Sequence, residues 1–384
     1  MSARCKAVAA AFAVLLVTAL STGSAVFLSA AILLGLMLLT GSLSVWQAVR
    51  TLQIDCELES ETVPRGTDAE MTVIVEHQGV LPVAPVQLLL RATPDAPPVE
   101  VRLKDMPGRQ QRLRLPFHAA HVGVSVPGVE SCTIEDVFGL FSVTRRPEHV
   151  KRSLTVLPML FATEHLAFAP GDSGLETVAR ATEDVTSPAD VRGYQPGDTM
   201  KKIHWKLSAR KQELLVRRFE EPELPDALVL LDCSRPPAWG HAEAEADIRD
   251  ALLETAASVV AQQMNGDHAV RMPLLGEHPV ECEKHMGLPA ILECLARLDF
   301  SETDRFERVL LMETRRMRKV GSTVVVAARL NGHMVDAMIR MRKMGPYVRL
   351  YLITFTPDEP AVLPMVSKLQ QGDVEVRYVR PEPM

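Results

Sequence analysis

The chain is 384 residues long, 47% hydrophobic, with a formal net charge of −6. That length leaves room for two or three domains and a membrane segment besides. The acidic balance argues against general nucleic-acid affinity, so no nucleic-acid partner is expected. The six cysteines (Cys5, Cys56, Cys132, Cys233, Cys282 and Cys294) are scattered without a CxxC pair. This pattern points to reduced thiols in a cytosolic setting rather than a disulfide framework or a zinc site. A Cys56–Cys132 pair across a β-domain stays open.

From Ala7 to Val49 no residue is charged. One helix of that length would run roughly 64 Å, about twice the 30 Å hydrocarbon thickness of a bilayer. Two transmembrane spans are therefore expected, Lys6 to Leu20 and Ala25 to Val45, turning at Ser21-Thr22-Gly23-Ser24. Residues 1–50 form this anchor. Arg4 and Lys6 precede the first span and Arg50 follows the second, so a hairpin puts all three on one side. The positive-inside rule makes that side the cytoplasm. The expectation is a multi-pass protein of the cell membrane with cytoplasmic soluble domains. The competing reading is a cleaved signal peptide and one remaining anchor, with the soluble part facing outward.

Residues 51–150 alternate apolar and polar in short segments between Pro and Gly clusters: "EMTVIVEHQ", "VQLLLRAT", "VEVRLKD" and "QRLRLPFH". Regular short strands with turn signals predict a β-sandwich-like domain. Its closing "DVFGLF" reads as a structural corner, with Asp136 satisfying loop amides and Phe138 and Phe141 filling a core.

Residues 151–224 are a linker and a basic segment. "LTVLPML" reads as a strand, and the polar run that follows carries Glu176, Glu183 and Asp184. Then comes "RGYQPGDTMKKIHWKLSARKQELLVRR", from Arg192 to Arg218. Pro196-Gly197 predicts a type II turn, and Asp198 is placed to cap the short amphipathic helix that follows. Ile203, Trp205, Leu207 and Leu214 supply apolar contacts; Lys201, Lys202, Lys206, Arg210 and Lys211 keep one side basic. His204 and Trp205 are expected to pin the segment against a sheet, since a buried Trp needs a hydrogen-bond partner.

"GYQPGD", "IHWKLSAR" and "LLVRRFE", in this order, resemble the signature of the membrane proteins catalogued as domain-of-unknown-function 58. The matching residues are Arg192, Tyr194, Pro196, Gly197, Asp198, Ile203, His204, Trp205, Lys206, Ser208, Ala209 and Arg210, in a structural or docking role. The Asp-x-Phe-Gly-Leu-Phe ending at Asp136, Phe138, Gly139, Leu140 and Phe141 is also typical of that family, which commonly has Pro where this chain has Val137. The resemblance implies a partner, a cytoplasmic MoxR-type AAA+ ATPase, in a chaperone-like or complex-maturation system.

From Pro225 the period changes. "DALVLLDCS" is a continuous apolar run, hence a buried strand. "EAEADIRDALLETAASVVAQQM" places Ile248, Leu252, Thr255, Ala256 and Val259 on one helical face. Strands and helices then alternate to the end, which predicts a doubly wound α/β domain over residues 225–384. This domain resembles a von Willebrand factor A module, which holds a divalent metal through an Asp-x-Ser-x-Ser motif after its first strand. Asp232 and Ser234 match, but Pro236 offers no side-chain oxygen, and the later loop reads Asn331-Gly332 with no Asp. Thr303 is a stand-in for the family's threonine. The metal site is therefore read as degenerate, with no metal or other cofactor expected, and Asp232 and Ser234 as bonding their own turn.

No HExxH, GxSxG, Walker or GxGxxG pattern is present. His204 and Ser208 share a helical face near Asp198, a superficial base and nucleophile without a recognisable oxyanion device. The chain is read as a non-catalytic, membrane-anchored interaction protein with the lipid bilayer and the ATPase as partners. The alternatives are a metal-dependent adhesion module and an uncharacterised hydrolase.

Overall fold

The computed structural model describes residues 3–78, 85–94, 96–103, 110–147, 152–164, 190–195, 200, 203–218, 226–236, 242–266, 269–274, 280–282, 287–300, 306–317 and 320–382. The chain divides into two units, residues 1–157 and 158–384.

The first unit opens with α1 (Ala3–Thr22) and α2 (Ala25–Thr51), both long and apolar enough to cross a membrane. Ser21 and Thr22 stay inside α1 because their hydroxyls donate back to the Thr18 carbonyl, at 3.1 and 2.7 Å. The reversal is thus shorter than the four residues expected, and is made by Gly23 at φ 65°. The helices approach closely where Gly35 faces Phe12: a Cβ there would lie 3.1 Å from its ring. Val14, Val17, Leu20, Leu33 and Leu36 are exposed along the pair.

α2 does not stop at Val45. It runs on to Thr51, and β1 (Leu52–Leu58) begins at the next residue. The reason is burial: Val45 and Ala48 are covered, and Ala48 belongs to the core of the β-domain. Arg145 donates to the Val49 carbonyl at 2.7 Å and to that of Leu52, so a guanidinium closes the helix end.

The β-domain continues with β2 (Thr62–Pro64), β3 (Asp68–His77), β4 (Val86–Arg91), β5 (Val99–Leu103), β6 (Gln110–His118), β7 (Gly123–Ser125), β8 (Gly128–Glu135), β9 (Ser142–Arg145) and β10 (Leu154–Leu157). Two antiparallel sheets, β1-β3-β6 and β5-β4-β8-β9, share one core. Every second residue supplies it: Ile54 and Cys56, Met71, Val73 and Val75, then Val86, Leu88 and Leu90. Pro116 is tolerated because β6 is an edge strand. A third sheet, β2-β10-β7, covers a smaller cluster of Val63, Ala119, Leu154 and Val156. Cys56 and Cys132 do not pair; both are free thiols in the larger core, and burial raises each to about 11.

The corner after β8 is built on one buried carboxylate. Asp136 accepts from the amides of Phe138 (3.2 Å), Leu140 (2.6 Å) and Phe141 (2.7 Å). The Gly139 amide also donates to the Asp136 carbonyl at 3.0 Å, so Val137 and Phe138 are the central residues of a turn. That corrects one expectation: Phe138 is 46% exposed, and Leu140 is the residue that the corner buries. α2 passes against this corner at Gly41, where a Cβ would stand 2.7 Å from Asp136 Oδ2 and 3.4 Å from the Phe141 ring.

The second unit begins with residues 158–164, followed by β11 (Asp190–Gly193), α3 (Trp205–Lys211) and β12 (Leu215–Arg218). After these come β13 (Asp226–Leu231), α4 (Ala242–Asn265), β14 (Val270–Leu274), β15 (Val280–Cys282), α5 (Leu288–Ala296), α6 (Phe306–Thr314), β16 (Val320–Ala327), α7 (Gly332–Lys343), β17 (Tyr347–Ile353), α8 (Leu363–Gln371) and β18 (Glu375–Val379). Six strands form one sheet in the order β15-β14-β13-β16-β17-β18, parallel except for β15. β13, β16 and β17 are buried along nearly their whole length, as strands covered on both faces must be. β15, three residues at the edge, was not expected from the sequence.

α4 is buried beyond the face that periodicity assigns to it: Leu253, Ala257 and Ser258 are covered as well as Ile248, Leu252 and Ala256. Residues 158–164 lie along its second side. The Met159 amide donates to Glu254 Oε1 (3.2 Å), the Phe161 amide to Ser258 Oγ (3.0 Å), and Gln262 Nε2 to the Thr163 carbonyl (2.7 Å). Two extended residues advance about 6.6 Å and four helical residues about 6 Å, so alternate residues of one meet every fourth residue of the other. Arg349 and Arg377 hold the far end, at Glu164.

Asp136→Ala is expected to destabilise the first unit by on the order of 3 kcal/mol, because three amides lose their shared acceptor. Denaturant unfolding of the full chain in detergent would measure it; a loss under about 1 kcal/mol would show that water replaces the carboxylate.

Candidate functional site

The basic segment makes its own small frame. β11 and β12 pair antiparallel from Asp190↔Arg218 to Gly193↔Leu215, and Ile203 forms a further bridge to Val216. The Tyr194 amide donates to the Leu214 carbonyl and the His204 amide to that of Leu215, each at 2.8 Å. α3 is then folded back onto β12 by Ser208. Its buried hydroxyl accepts from the Leu215 amide at 2.9 Å and donates to the Leu215 carbonyl at 3.4 Å.

Two expectations need correction here. The helix cap is His204 rather than Asp198: helical geometry begins at Trp205, and His204 Nδ1 accepts from the Leu207 amide at 3.2 Å. Trp205 does not pin the frame either; it is 61% exposed. As the first helical residue, it points back toward an end where no preceding turn exists to receive it. Buried contacts come instead from Ile203, Leu215 and Val216, with Ser208 between them. Tyr194, Leu214, Lys206, Ala209, Arg210 and Lys211 are all exposed, and Arg192 enters through its backbone pairing with Val216. Pro196, Gly197, Asp198, Lys201 and Lys202 lie outside the described residues, as do Glu176, Glu183, Asp184 and Thr303.

The base and nucleophile suggested by His204 and Ser208 are both engaged with the backbone. A lone pair of His204 Nδ1 is given to an amide, and Ser208 Oγ has Leu215 on both its donor and acceptor sides. Among the described residues, open hollows lie elsewhere. One, of about 810 Å³, is lined by Asp55, Glu57, Glu76, Arg112 and Arg145 among others; one of about 340 Å³ is lined by Tyr347, Asp373, Glu375 and Arg377 among others. Neither lining contains a His, Ser, Thr or Cys.

Asp232 stands just after β13, buried, its amide donating to the Val326 carbonyl at 2.9 Å. Oδ1 accepts from the Ser234 amide (3.1 Å) and hydroxyl, so this pair bonds its own turn as expected. Oδ2 faces Arg329 Nε at 3.5 Å, from the segment after β16. Asn331 caps α7 through the Met334 amide (2.9 Å) and donates to Glu307. Burial would raise the Glu307 carboxyl, but a hydrogen bond from its own backbone amide, the one from Asn331 and the nearby Arg329 and His333 hold it below its ordinary value. The strand ends thus meet a guanidinium and an amide, and no cluster of three His, Cys, Asp or Glu forms among the described residues.

Residues 190–286 match the family model described as "Protein of unknown function DUF58". The stretch includes the β11–α3–β12 frame, Asp232 and α4, and it supports the resemblance carried by the signature. No curated protein is similar enough to count as a relative. Solved structures give only faint likenesses. A CARDB domain from Pyrococcus furiosus, in complex with di-metal ions, is 15% identical, covering 26% of this chain and 87% of that one, with TM-score 0.18. Spo0M, a sporulation control protein from Bacillus subtilis, is 17% identical over 26% of this chain and 49% of its own, TM-score 0.14. An exo-β-N-acetylglucosaminidase from Vibrio harveyi is 7% identical over 84% and 59%, TM-score 0.20.

Ser208→Ala is expected to cost about 1–3 kcal/mol, since the Leu215 amide is left buried without its acceptor. Trp205→Ala should change stability by no more than about 0.5 kcal/mol, as for other exposed positions. Thermal unfolding of the two variants side by side tests the assignment; the reverse order would contradict it. Millimolar Mg²⁺ or Mn²⁺ should leave the unfolding temperature of the unaltered chain unchanged, because a ligand that binds only the folded state would raise it.

Proposed function

We propose that this chain is a membrane-anchored, non-catalytic interaction protein whose signature frame docks a MoxR-type AAA+ ATPase. The observation that carries the reading is the exposure of Trp205. A frame whose His204 and Ser208 serve its own backbone still presents Trp205, Tyr194 and Leu214 to the outside, with Lys206, Arg210 and Lys211 beside them. Trp, Tyr and Arg are the side chains that most often carry binding energy at protein interfaces. The basic residues suit an acidic partner surface and would speed its capture. The occupied His204 and Ser208 favour docking over hydrolysis.

The α/β domain is read as von Willebrand factor A-like. Supporting this are its 3-2-1-4-5-6 strand order, its antiparallel edge strand and the Asp232-x-Ser234 turn after the first strand. Arg329 supplies the positive charge beside Asp232, which favours a module that recognises its partner without a metal. The apolar hairpin is read as two membrane spans. Arg4, Lys6 and Arg50 lie at its open end, and by the positive-inside rule this charge pattern favours a cytoplasmic side for the soluble units.

The test is co-purification of the full-length chain from detergent extracts of its source cells, with and without ATP. Nucleotide-dependent recovery of an AAA+ ATPase is expected, and Lys206→Glu with Arg210→Glu should reduce it by at least tenfold, equivalent to about 1.4 kcal/mol. Equal recovery with the charge-reversed chain would remove the frame from the interface.

A further inference from the structure

We infer that the corner from Asp136 to Phe141 is a membrane-insertion site, with Val137 and Phe138 seated in the lipid acyl chains just beneath the headgroups. The inference rests on the reading of α1 and α2 as bilayer spans, and goes beyond it by placing part of the β-domain in the lipid.

The depth follows from Gly41. Its backbone touches the corner so closely that a Cβ would stand 2.7 Å from Asp136 Oδ2, so the corner sits at the level of residue 41 of α2. From Ala25 to Gly41 the helix advances about 24 Å, whereas the hydrocarbon core is about 30 Å thick. With the hairpin turn at the far boundary, the near boundary falls about four residues past Gly41, around Val45. Any tilt of the hairpin moves that boundary to a still later residue. The side chains agree: Trp46 is exposed and the Arg50 guanidinium lies 4.0 Å from its ring centroid, an aromatic and a basic residue where the headgroups would begin.

At this level the corner presents Val137, 61% exposed, and Phe138, 46% exposed, as the two central residues of its turn. Leu39 and Leu43 on α2, two residues either side of Gly41, are exposed too. A single exposed apolar side chain on a water-facing loop is ordinary. Two adjacent ones, locked to a spanning helix on the lipid side of its Trp–Arg pair, are in register with the acyl chains. Arg4 lies alongside, its Nη1 3.9 Å from where a Cβ on Gly139 would be, within reach of headgroup phosphates. β1 starts at the residue after α2, so no free linker lifts the β-domain away from the bilayer.

The experiment uses the full chain reconstituted in vesicles of phosphatidylglycerol and brominated phosphatidylcholine. A bimane label is placed at Phe138→Cys, at Val137→Cys and, as the mid-span reference, at Leu33→Cys. All three positions are exposed, so the labels replace no buried contact. Loss of emission from bromines high on the acyl chain is expected at 137 and 138, with little quenching by aqueous iodide; position 33 should respond to bromines deep in the chain. Quenching by lipid at 33 but by iodide alone at 137 and 138 would overturn the inference and leave the spanning reading intact. Iodide quenching at all three would overturn both.

Discussion

A backbone amide withdrawn from water without an acceptor costs about 1–3 kcal/mol, and this chain meets that constraint repeatedly with side-chain oxygens. Asp136 gathers three amides of the corner after β8. Ser208 holds both backbone groups of Leu215 and so closes α3 onto β12. Glu254 and Ser258 take the amides of Met159 and Phe161, and Gln262 the carbonyl of Thr163. In each case a polar side chain bonds the backbone of a corner, a strand or an extended segment. The signature's shape, the corner's shape and the burial of α4 all follow from those bonds.

The same bonds separate framework from surface. Groups that satisfy backbone are not available for chemistry, which is why His204 and Ser208 belong to the frame. Its outside includes aromatic and basic side chains, Tyr194, Trp205, Lys206, Arg210 and Lys211, together with Glu213. In the first unit the same logic leaves Val137 and Phe138 outside, because the turn that brings three amides to one carboxylate turns its central residues away. At the strand ends of the α/β domain, Asp232 is shared between its own turn and Arg329, so a charge that elsewhere would invite a cation has an internal counter-charge.

Much of this was legible in the sequence because burial imposes a period. The uncharged run from Ala7 to Val49, the alternating strands of the β-domain and the continuous apolar run of β13 each announce their surroundings. The Asp136 corner was readable because Asp followed by a Gly turn has a known use. Other features had no periodic trace. α2 outlasts its apolar stretch since Ala48 joins a core formed by strands far along the chain. The polar spacing of Glu254, Ser258 and Gln262 on α4 looks like a solvated edge until residues 158–164 are laid against it. Trp205 resembles a core residue by composition, and only its place at the first turn of a seven-residue helix exposes it. His204 was overlooked as a cap because Asp198 is the commoner capping type.

The central claim, that the signature frame is a docking surface, is tested most directly by photo-crosslinking from position 205. A benzoylphenylalanine in place of Trp205, in the full chain expressed in its own cells, should couple to a second polypeptide that peptide mass analysis identifies as an AAA+ ATPase. Crosslinks confined to this chain itself, with the labelled protein folded and in the membrane, would contradict the claim and make the frame an internal structural element.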